Sequence, residues 1–289
     1  MSAHHPSSIP LVLLHGAGGD ASVWAAQTDW LTARGWHCLA LEFPAHGATP
    51  APPLARIESM ADWVWSQLDA RQIGPVVLAG HSMGSLVALH AAGQRPGQLR
   101  GLALLGISWP MRVSRKLLAQ AEEAPQEAID NVVKWSYAQA EPLTPAPGFQ
   151  SPQAYRELLL RQQAHWAEGS LLASDLAACD RYSAGEAAAR SWGGPTLFLL
   201  GEHDRMTPPA QAEDLRAALP RQRTVMLDCG HNLMAEAPHA VAHALADWME
   251  RELGMAVCGD EATRSQAPKR SRAVPHHTVS TTRPEPRTV

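Results

Sequence analysis

The chain has 289 residues, of which 45% are hydrophobic and 18% charged, a composition that supports a large core and excludes a wholly disordered or fibrous protein. Its formal net charge of −4 argues against a strongly basic surface and hence against a nucleic-acid partner. The four cysteines are too few and too scattered for a disulfide framework or a structural zinc site. We therefore expect free thiols, no metal and a cytoplasmic location.

The beginning of the chain lacks a cationic region followed by an apolar run, so we expect no signal peptide. Residues 72–94 carry no charge and have the length of a membrane span. Glycines and polar side chains at the centre of this segment are costly in lipid. A strand, a tight turn and a helix explain it better, and we expect no membrane span.

Short apolar runs alternate with amphipathic segments along most of the chain. The runs that predict strands lie at residues 9–15, 37–43, 75–79, 99–107, 195–201 and 224–228. The segments between them repeat apolar side chains at helical spacing, as Val23, Ala26 and Trp30 do. This alternation predicts an α/β fold: a doubly wound, mostly parallel sheet with helices on both faces.

The alternation stops between about residues 108 and 191. Helices are predicted there near residues 115–137, 154–168 and 171–183. More than 80 residues without a clear strand, inside a sheet protein, predict an inserted all-helical lid. The tryptophans of this lid either line an apolar substrate pocket or pack the lid onto the core. They are Trp109, Trp135 and Trp166.

The last residues, 255–289, are rich in Ser, Thr, Pro and Arg and show no periodicity. They predict a disordered tail that follows one domain covering residues 1–254. The tail holds six basic and three acidic residues, so its charge of +3 leaves −7 on the domain. Sparse basic residues of this kind predict a solvated segment rather than an arm that binds an anionic partner.

A candidate nucleophile lies in the sequence GHSMG at residues 80–84, between an apolar strand and a helical stretch. A strand-to-helix turn this sharp strains the serine, and the flanking glycines avoid a collision within the turn. Ser82 would be raised above the sheet, next to the N-terminus of a helix. A serine hydroxyl also needs a general base, and the base needs an orienting acid.

The acid and the base are expected downstream, in that order along the chain. Asp204 follows a predicted strand, with Thr207 expected to cap the next helix and Pro208 to begin it. His231 follows the next strand, so both side chains come to the sheet edge where α/β proteins place their sites. The competing candidates are Glu202 and His203, which precede the loop tip, and Asp228, which we expect within a strand.

An oxyanion site would use the amide after the nucleophile, that of Met83, and one from the loop after the first strand. That loop reads LHGAGG at residues 14–19, and Ala17 is the candidate donor. The same glycines also fit a dinucleotide-binding G-x-G-x-x-A pattern, with Glu42 near the position of a ribose-binding acid. An NAD-dependent oxidoreductase is therefore an alternative, but it leaves the serine, aspartate and histidine unexplained.

Together these segments resemble the α/β-hydrolase superfamily between about residues 9 and 253. The resemblance includes the loops LHGAGG at 14–19 and PAHGAT at 44–49, the turn GHSMG at 80–84, the acid loop GEHDRMTP at 201–208 and the pair GH at 230–231. Two positions depart from the commonest pattern, Ala45 for glycine and Glu42 for aspartate, and both lie outside the triad.

The resemblance implies a serine hydrolase with a helical cap, no cofactor and a small-molecule, ester-like substrate of apolar character. A carboxylesterase is the favoured interpretation. The resemblance leaves open a lactonase, a thioesterase, a C–C bond hydrolase or a cofactor-free haloperoxidase, and a non-catalytic ligand-binding protein on the same fold. It implies no oligomeric state.

Overall fold

The computed structural model describes residues 9–50, 52–139, 142, 144–166 and 168–256. The predicted tail lies outside them from residue 257 onward. Six strands form one sheet. The strands are β1 Leu11–Leu14, β2 Cys38–Leu41, β3 Val76–His81, β4 Leu99–Leu105, β5 Thr196–Gly201 and β6 Gln222–Leu227. All neighbours pair in parallel, in the order β2-β1-β3-β4-β5-β6. The predicted fold class, a parallel sheet with flanking helices, is confirmed.

Eleven α-helices occur among the described residues. They are α1 Ala25–Thr32, α2 Ile57–Ala70, α3 Met83–Gln94, α4 Arg115–Glu123, α5 Pro125–Ser136, α6 Pro152–His165, α7 Leu171–Arg181, α8 Gly185–Trp192, α9 Glu213–Ala218, α10 Leu233–Glu236 and α11 Pro238–Arg251. None of the described helices has both the length and the apolar character needed to cross a bilayer.

Side chains of each central strand alternate between two buried cores. In β1, Val12 and Leu14 join the core beneath α2 and α3, whereas Leu11 and Leu13 join the core beneath α1 and α11. Because both faces are covered, every residue of β1 and β3 is buried. This two-sided burial is why the strands read as continuous apolar runs rather than as alternating ones.

The five helices α4–α8 separate β4 from β5 in the chain, and we call them the helical segment. Apolar side chains of α4–α7 form a third buried cluster of their own. Helix α8 instead packs against α3, where Gly93 leaves room for Ala188. The helix predicted over 115–137 is interrupted, because Pro125 begins a new helix and Ala124 before it has a non-helical backbone, with a φ of −141° and a ψ of 66°.

Candidate active site

Ser82 occupies the turn between β3 and α3 with a φ of 52° and a ψ of −117°. Such a backbone conformation costs a non-glycine residue on the order of 1–3 kcal/mol and is typical of functional sites. The two glycines of the turn are sterically required. A Cβ at Gly80 would overlap the carbonyl oxygen of Gly84, and one at Gly84 would lie 2.5 Å from the carbonyl oxygen of Leu14.

Asp204 and His231 come together from the loops after β5 and β6. The Oδ2 atom of Asp204 lies 2.8 Å from Nδ1 of His231. Both side chains are buried, at 5% and 4% exposure. Nε2 of His231 is thus the ring nitrogen left for another partner.

Thr207 contributes to this pair in a way that sequence reasoning missed. Its hydroxyl donates to Oδ2 of Asp204 at 2.7 Å and also lies 3.1 Å from Nδ1 of His231. Its amide donates to Oδ1 of Asp204 at 2.8 Å. Thr207 does not cap a helix as expected, because Pro208 is the capping residue of the short 3-10 helix Pro209–Ala212. The sequence feature that could have indicated this contact is a hydroxyl side chain three residues after Asp204.

These contacts stabilise the ionised form of Asp204. Burial by itself would raise the pKa of the carboxyl group. The neighbouring His231 and the hydrogen bonds from Thr207 outweigh it and hold the pKa well below its ordinary value. Asp204 is therefore an anion at neutral pH and can orient the imidazole of His231.

His81, the last residue of β3, also contacts His231. Its Nε2 lies 2.8 Å from the carbonyl oxygen of His231, and the two rings are 4.8 Å apart between centroids. Burial, followed by the proximity of His231, lowers the pKa of His81 to about 3. The ring is therefore neutral, and its N–H donates to the His231 carbonyl.

Ser82, His231 and Ala17 line one cavity of about 200 Å³. Among the described residues, the side-chain hydrogen bonds of His231 are to Asp204 and Thr207, and none joins it to the Ser82 hydroxyl. Catalytic hydrogen bonds often form only when substrate binds. The cavity wall is mainly apolar and includes Leu117 and Leu176 from the helical segment. Met83, the second expected amide donor, begins α3, so its N–H belongs to the first turn that has no intrahelical acceptor.

The three tryptophans proposed for substrate contact lie in different places. Trp135 lines the cavity. Trp109 packs edge-on against Tyr182, with 5.4 Å between ring centroids, and is not among the lining residues. Trp166, which follows the last residue of α6, does not line it either.

The competing acid and base candidates lie on the surface. His203 Nε2 and Asp228 Oδ1 are 2.9 Å apart, and both side chains are exposed. Asp228 is not within β6 as expected, because the strand ends one residue earlier at Leu227. With Glu202, these two form the one group among the described residues whose ligand atoms are close enough to hold a metal ion. Exposed acidic groups of this kind are common without a metal.

Glu42, the candidate ribose-binding acid of the dinucleotide alternative, bonds to its own loop. Glu42 accepts a hydrogen bond from the amide of Ala48 at 3.0 Å and so supports the loop that follows β2. A Cβ at Gly47 would overlap this carboxylate. Glu42 thus has a structural role within its own loop, one that requires no dinucleotide.

Comparisons with known proteins agree with this architecture. Residues 9–238 match the model of the family described as alpha/beta hydrolase fold. The chain belongs to the α/β-hydrolase family. The resemblance proposed from the sequence is therefore confirmed at the level of the family.

Several relatives and solved structures carry names of hydrolases, whereas other relatives are named as a synthase or an acetyltransferase component. The chain is 26% identical to an (E)-2-((N-methylformamido)methylene)succinate hydrolase of Acinetobacter baylyi, covering 83% of this chain and 90% of the relative. It is 30% identical to a pimeloyl-[acyl-carrier protein] methyl ester esterase of Aromatoleum aromaticum, covering 82% and 96%. A solved thermophilic esterase superposes with a TM-score of 0.70 at 25% identity, covering 85% and 91%.

Proposed function

We propose that this α/β hydrolase is a serine esterase that cleaves a carboxylic ester of a small molecule through an acyl-enzyme intermediate. The observation that carries the proposal is the convergence of three loops. His231 bonds Asp204 at 2.8 Å on one side of its ring and shares a cavity with Ser82. An ester substrate is favoured because a relative 30% identical to the chain is a methyl ester esterase.

In the proposed mechanism, Nε2 of His231 takes the proton of the Ser82 hydroxyl while the oxygen attacks the ester carbonyl. Asp204 keeps the imidazole in one tautomer and stabilises the imidazolium that forms. The amides of Ala17 and Met83 donate to the tetrahedral oxyanion. His231 then returns the proton to the departing alcohol, and water activated by His231 releases the acid.

We further propose that helices α4–α7 form a lid over this cavity. Leu117, Trp135 and Leu176 extend from these helices into its wall. Their apolar surface suits the hydrocarbon part of an acyl or alcohol group. The cytoplasmic location remains part of the same proposal.

The experiment is hydrolysis of p-nitrophenyl esters by the wild type and by Ser82→Ala. Removing the nucleophile should lower kcat by about 10⁴-fold or more. Mass spectrometry after exposure to a fluorophosphonate should show one adduct on the wild type and none on Ser82→Ala. Ser66→Ala, which changes an exposed serine on α2, is the matched control and should behave as the wild type.

A wild type that neither reacts with the fluorophosphonate nor hydrolyses esters, thioesters or lactones contradicts the proposal. That outcome would favour the non-catalytic ligand-binding alternative. An increase in melting temperature with NAD would instead favour the oxidoreductase. Faster cleavage of a thioester or a lactone than of the matched ester would retain the triad and change the substrate class.

A further inference from the structure

Two side chains from the helical segment reach into the loops around the proposed oxyanion site. Asp175 of α7 is fully buried, and its Oδ2 accepts hydrogen bonds from the amide of Gly18 at 2.8 Å and from Nε2 of His46 at 2.9 Å. Gly18 follows Ala17 directly. The carboxylate of one lid helix therefore holds the peptide unit next to the proposed oxyanion donor.

The second side chain, Gln162 of α6, likewise makes two hydrogen bonds, one to the loop after β2 and one to the loop after β1. Its Oε1 accepts from the amide of Gly47 at 2.7 Å, and its Nε2 donates to the carboxylate of Asp20. Asp20 in turn caps the 3-10 helix Ala21–Trp24 through the amide of Ser22. The loop that contains Ala17 is thus held at Gly18 by α7 and at Asp20 by α6.

Apolar packing encloses the same loop. Gly18 has a φ of +66°, and a Cβ built there would lie 3.3 Å from Leu159 of α6 and 3.3 Å from Leu172 of α7. Ala17 packs against the apolar cluster of the helical segment. These contacts leave the loop no room to shift toward the lid helices.

The arrangement is costly for stability alone. Asp175 is 0% exposed, and its second oxygen, Oδ1, is buried without a hydrogen-bond partner among the described residues. A buried carboxylate with an unsatisfied oxygen is less favourable for folding than a well-packed apolar side chain. Helices α6 and α7 already pack through leucines and alanines, so apolar contact could have joined them to the body. The charge therefore has a task other than packing.

We propose that Asp175, assisted by Gln162, is a positioning residue that sets the amide of Ala17 for the oxyanion, so that the lid helices complete the oxyanion site. This inference rests on the proposed esterase function. Asp175 does not contact the substrate cavity and acts through Gly18 and His46. Loss of the Asp175 hydrogen bonds alone would leave Ser82, His231 and Asp204 in place and would impair only the stabilisation of the oxyanion.

The experiment compares Asp175→Asn with Asp180→Asn. Asp180 is a second carboxylate on α7, but its Oδ1 accepts from the amide of Val113 and not from the oxyanion loop. For p-nitrophenyl ester hydrolysis, Asp175→Asn should lower kcat about tenfold or more and change KM by less than about threefold. The expected loss is smaller than the roughly 10²–10³ in kcat that removal of an oxyanion donor costs, because the variant displaces the donor and does not remove it. Asp180→Asn should retain the kcat of the wild type.

A second readout separates positioning from damage to the fold. A trifluoromethyl ketone that forms a tetrahedral adduct with the serine should lose affinity for Asp175→Asn by the same factor as kcat falls. The methyl ketone of the same chain, which stays trigonal, should bind unchanged. Loss of folded protein alone would lower the active fraction measured by fluorophosphonate titration and would leave the inhibition constants of the remaining enzyme unaltered.

Gln162→Leu is the second variant, because it removes the hydrogen bonds to Gly47 and Asp20 without altering Asp175. It should reduce kcat in the same direction by a smaller factor. If the wild type is active and both variants match Asp180→Asn in kcat and in trifluoromethyl ketone affinity, the positioning role is wrong while the esterase proposal stands. If the wild type neither labels nor hydrolyses any ester, both proposals fail together.

Discussion

Thr207 contacts both Asp204 and His231, the proposed acid and base, although its side chain carries no charge. Its hydroxyl shares Oδ2 of Asp204 with His231, and its amide bonds Oδ1. Hydrogen bonds to an ionised carboxylate are each worth roughly 1.5–3 kcal/mol. At the scale of single residues, the orientation of His231 therefore depends on a hydroxyl as well as on the acid.

Replacing Thr207 by valine preserves the shape of the side chain and its amide but removes the hydroxyl. We expect kcat to fall about tenfold, because a single charge-assisted hydrogen bond is lost while the Asp204–His231 contact remains. Thr207→Ser keeps the hydroxyl and should retain most of the activity. Steady-state kinetics on one ester measure both variants. Equal rates for the valine variant and the wild type would contradict a role for the hydroxyl.

At the scale of elements, the turn between β3 and α3 has the strictest steric requirements. Strand β3 is buried along its whole length, and α3 begins one residue after Ser82. The close approach of Gly80 to Gly84 and of Gly84 to Leu14 lets the helix start directly above the sheet. This compactness is what lifts the serine above the sheet edge.

Gly80→Ala should therefore lower the free energy of unfolding by at least about 3 kcal/mol, because a methyl group there overlaps backbone that cannot move aside. Gly97→Ala is the control, since nothing lies within 4 Å of a Cβ at that exposed position and its change in stability should be within about 0.5 kcal/mol. Urea unfolding followed by circular dichroism gives both values. A Gly80→Ala protein as stable as the control would refute the steric argument.

At the scale of the whole molecule, the helical segment is joined to the sheet domain by polar contacts at several loops. Asp175 and Gln162 bond the loops after β1 and β2. Arg205, next to Asp204, donates from Nη2 to the carbonyl oxygens of Lys134 and Tyr137 at 2.7 and 3.0 Å, near the end of α5. The loops that carry the proposed oxyanion donor and the proposed acid are thus each attached to the helical segment.

The stability of the whole chain should also depend on pH through its buried histidines. His81 has a pKa of about 3 in the folded protein against 6.5 when unfolded. Between these values the unfolded chain binds a proton that the folded chain does not, so stability falls as the pH falls below about 6.5. The contribution of His81 is at most about 1.4 kcal/mol per pH unit.

His81→Gln keeps an N–H donor for the His231 carbonyl and removes the titration. From pH 6.5 to pH 5, its free energy of unfolding should fall by about 2 kcal/mol less than that of the wild type. His239→Gln, at an exposed position on α11, should follow the wild type. Urea unfolding at the two pH values makes the comparison, and parallel pH dependences for all three proteins would show that His81 is not responsible.

Much of this protein could be predicted from the sequence because the signals are local. Burial on both faces produces the apolar strands, and a sharp turn requires the glycines at residues 80 and 84. Chain order then assigns the loops of Ser82, Asp204 and His231 to one sheet edge, which predicted the candidate site and the fold. The boundaries of helices were predicted less well. One continuous helix was predicted where Pro125 begins a second one, and α8 was not predicted.

The tertiary structure decided how the helical segment meets the site. Asp175 bonds Gly18 across 157 residues and His46 across 129, separations at which no spacing rule operates. Spacing along the chain also could not show which of Trp109, Trp135 and Trp166 lines the cavity, and among these three only Trp135 does. The chemistry available at the sheet edge could be predicted from chain order alone, because Ser82, Asp204 and His231 each follow a strand of their own. Which side chains of the helical segment reach those loops depends on packing between helices and loops that are far apart in the chain.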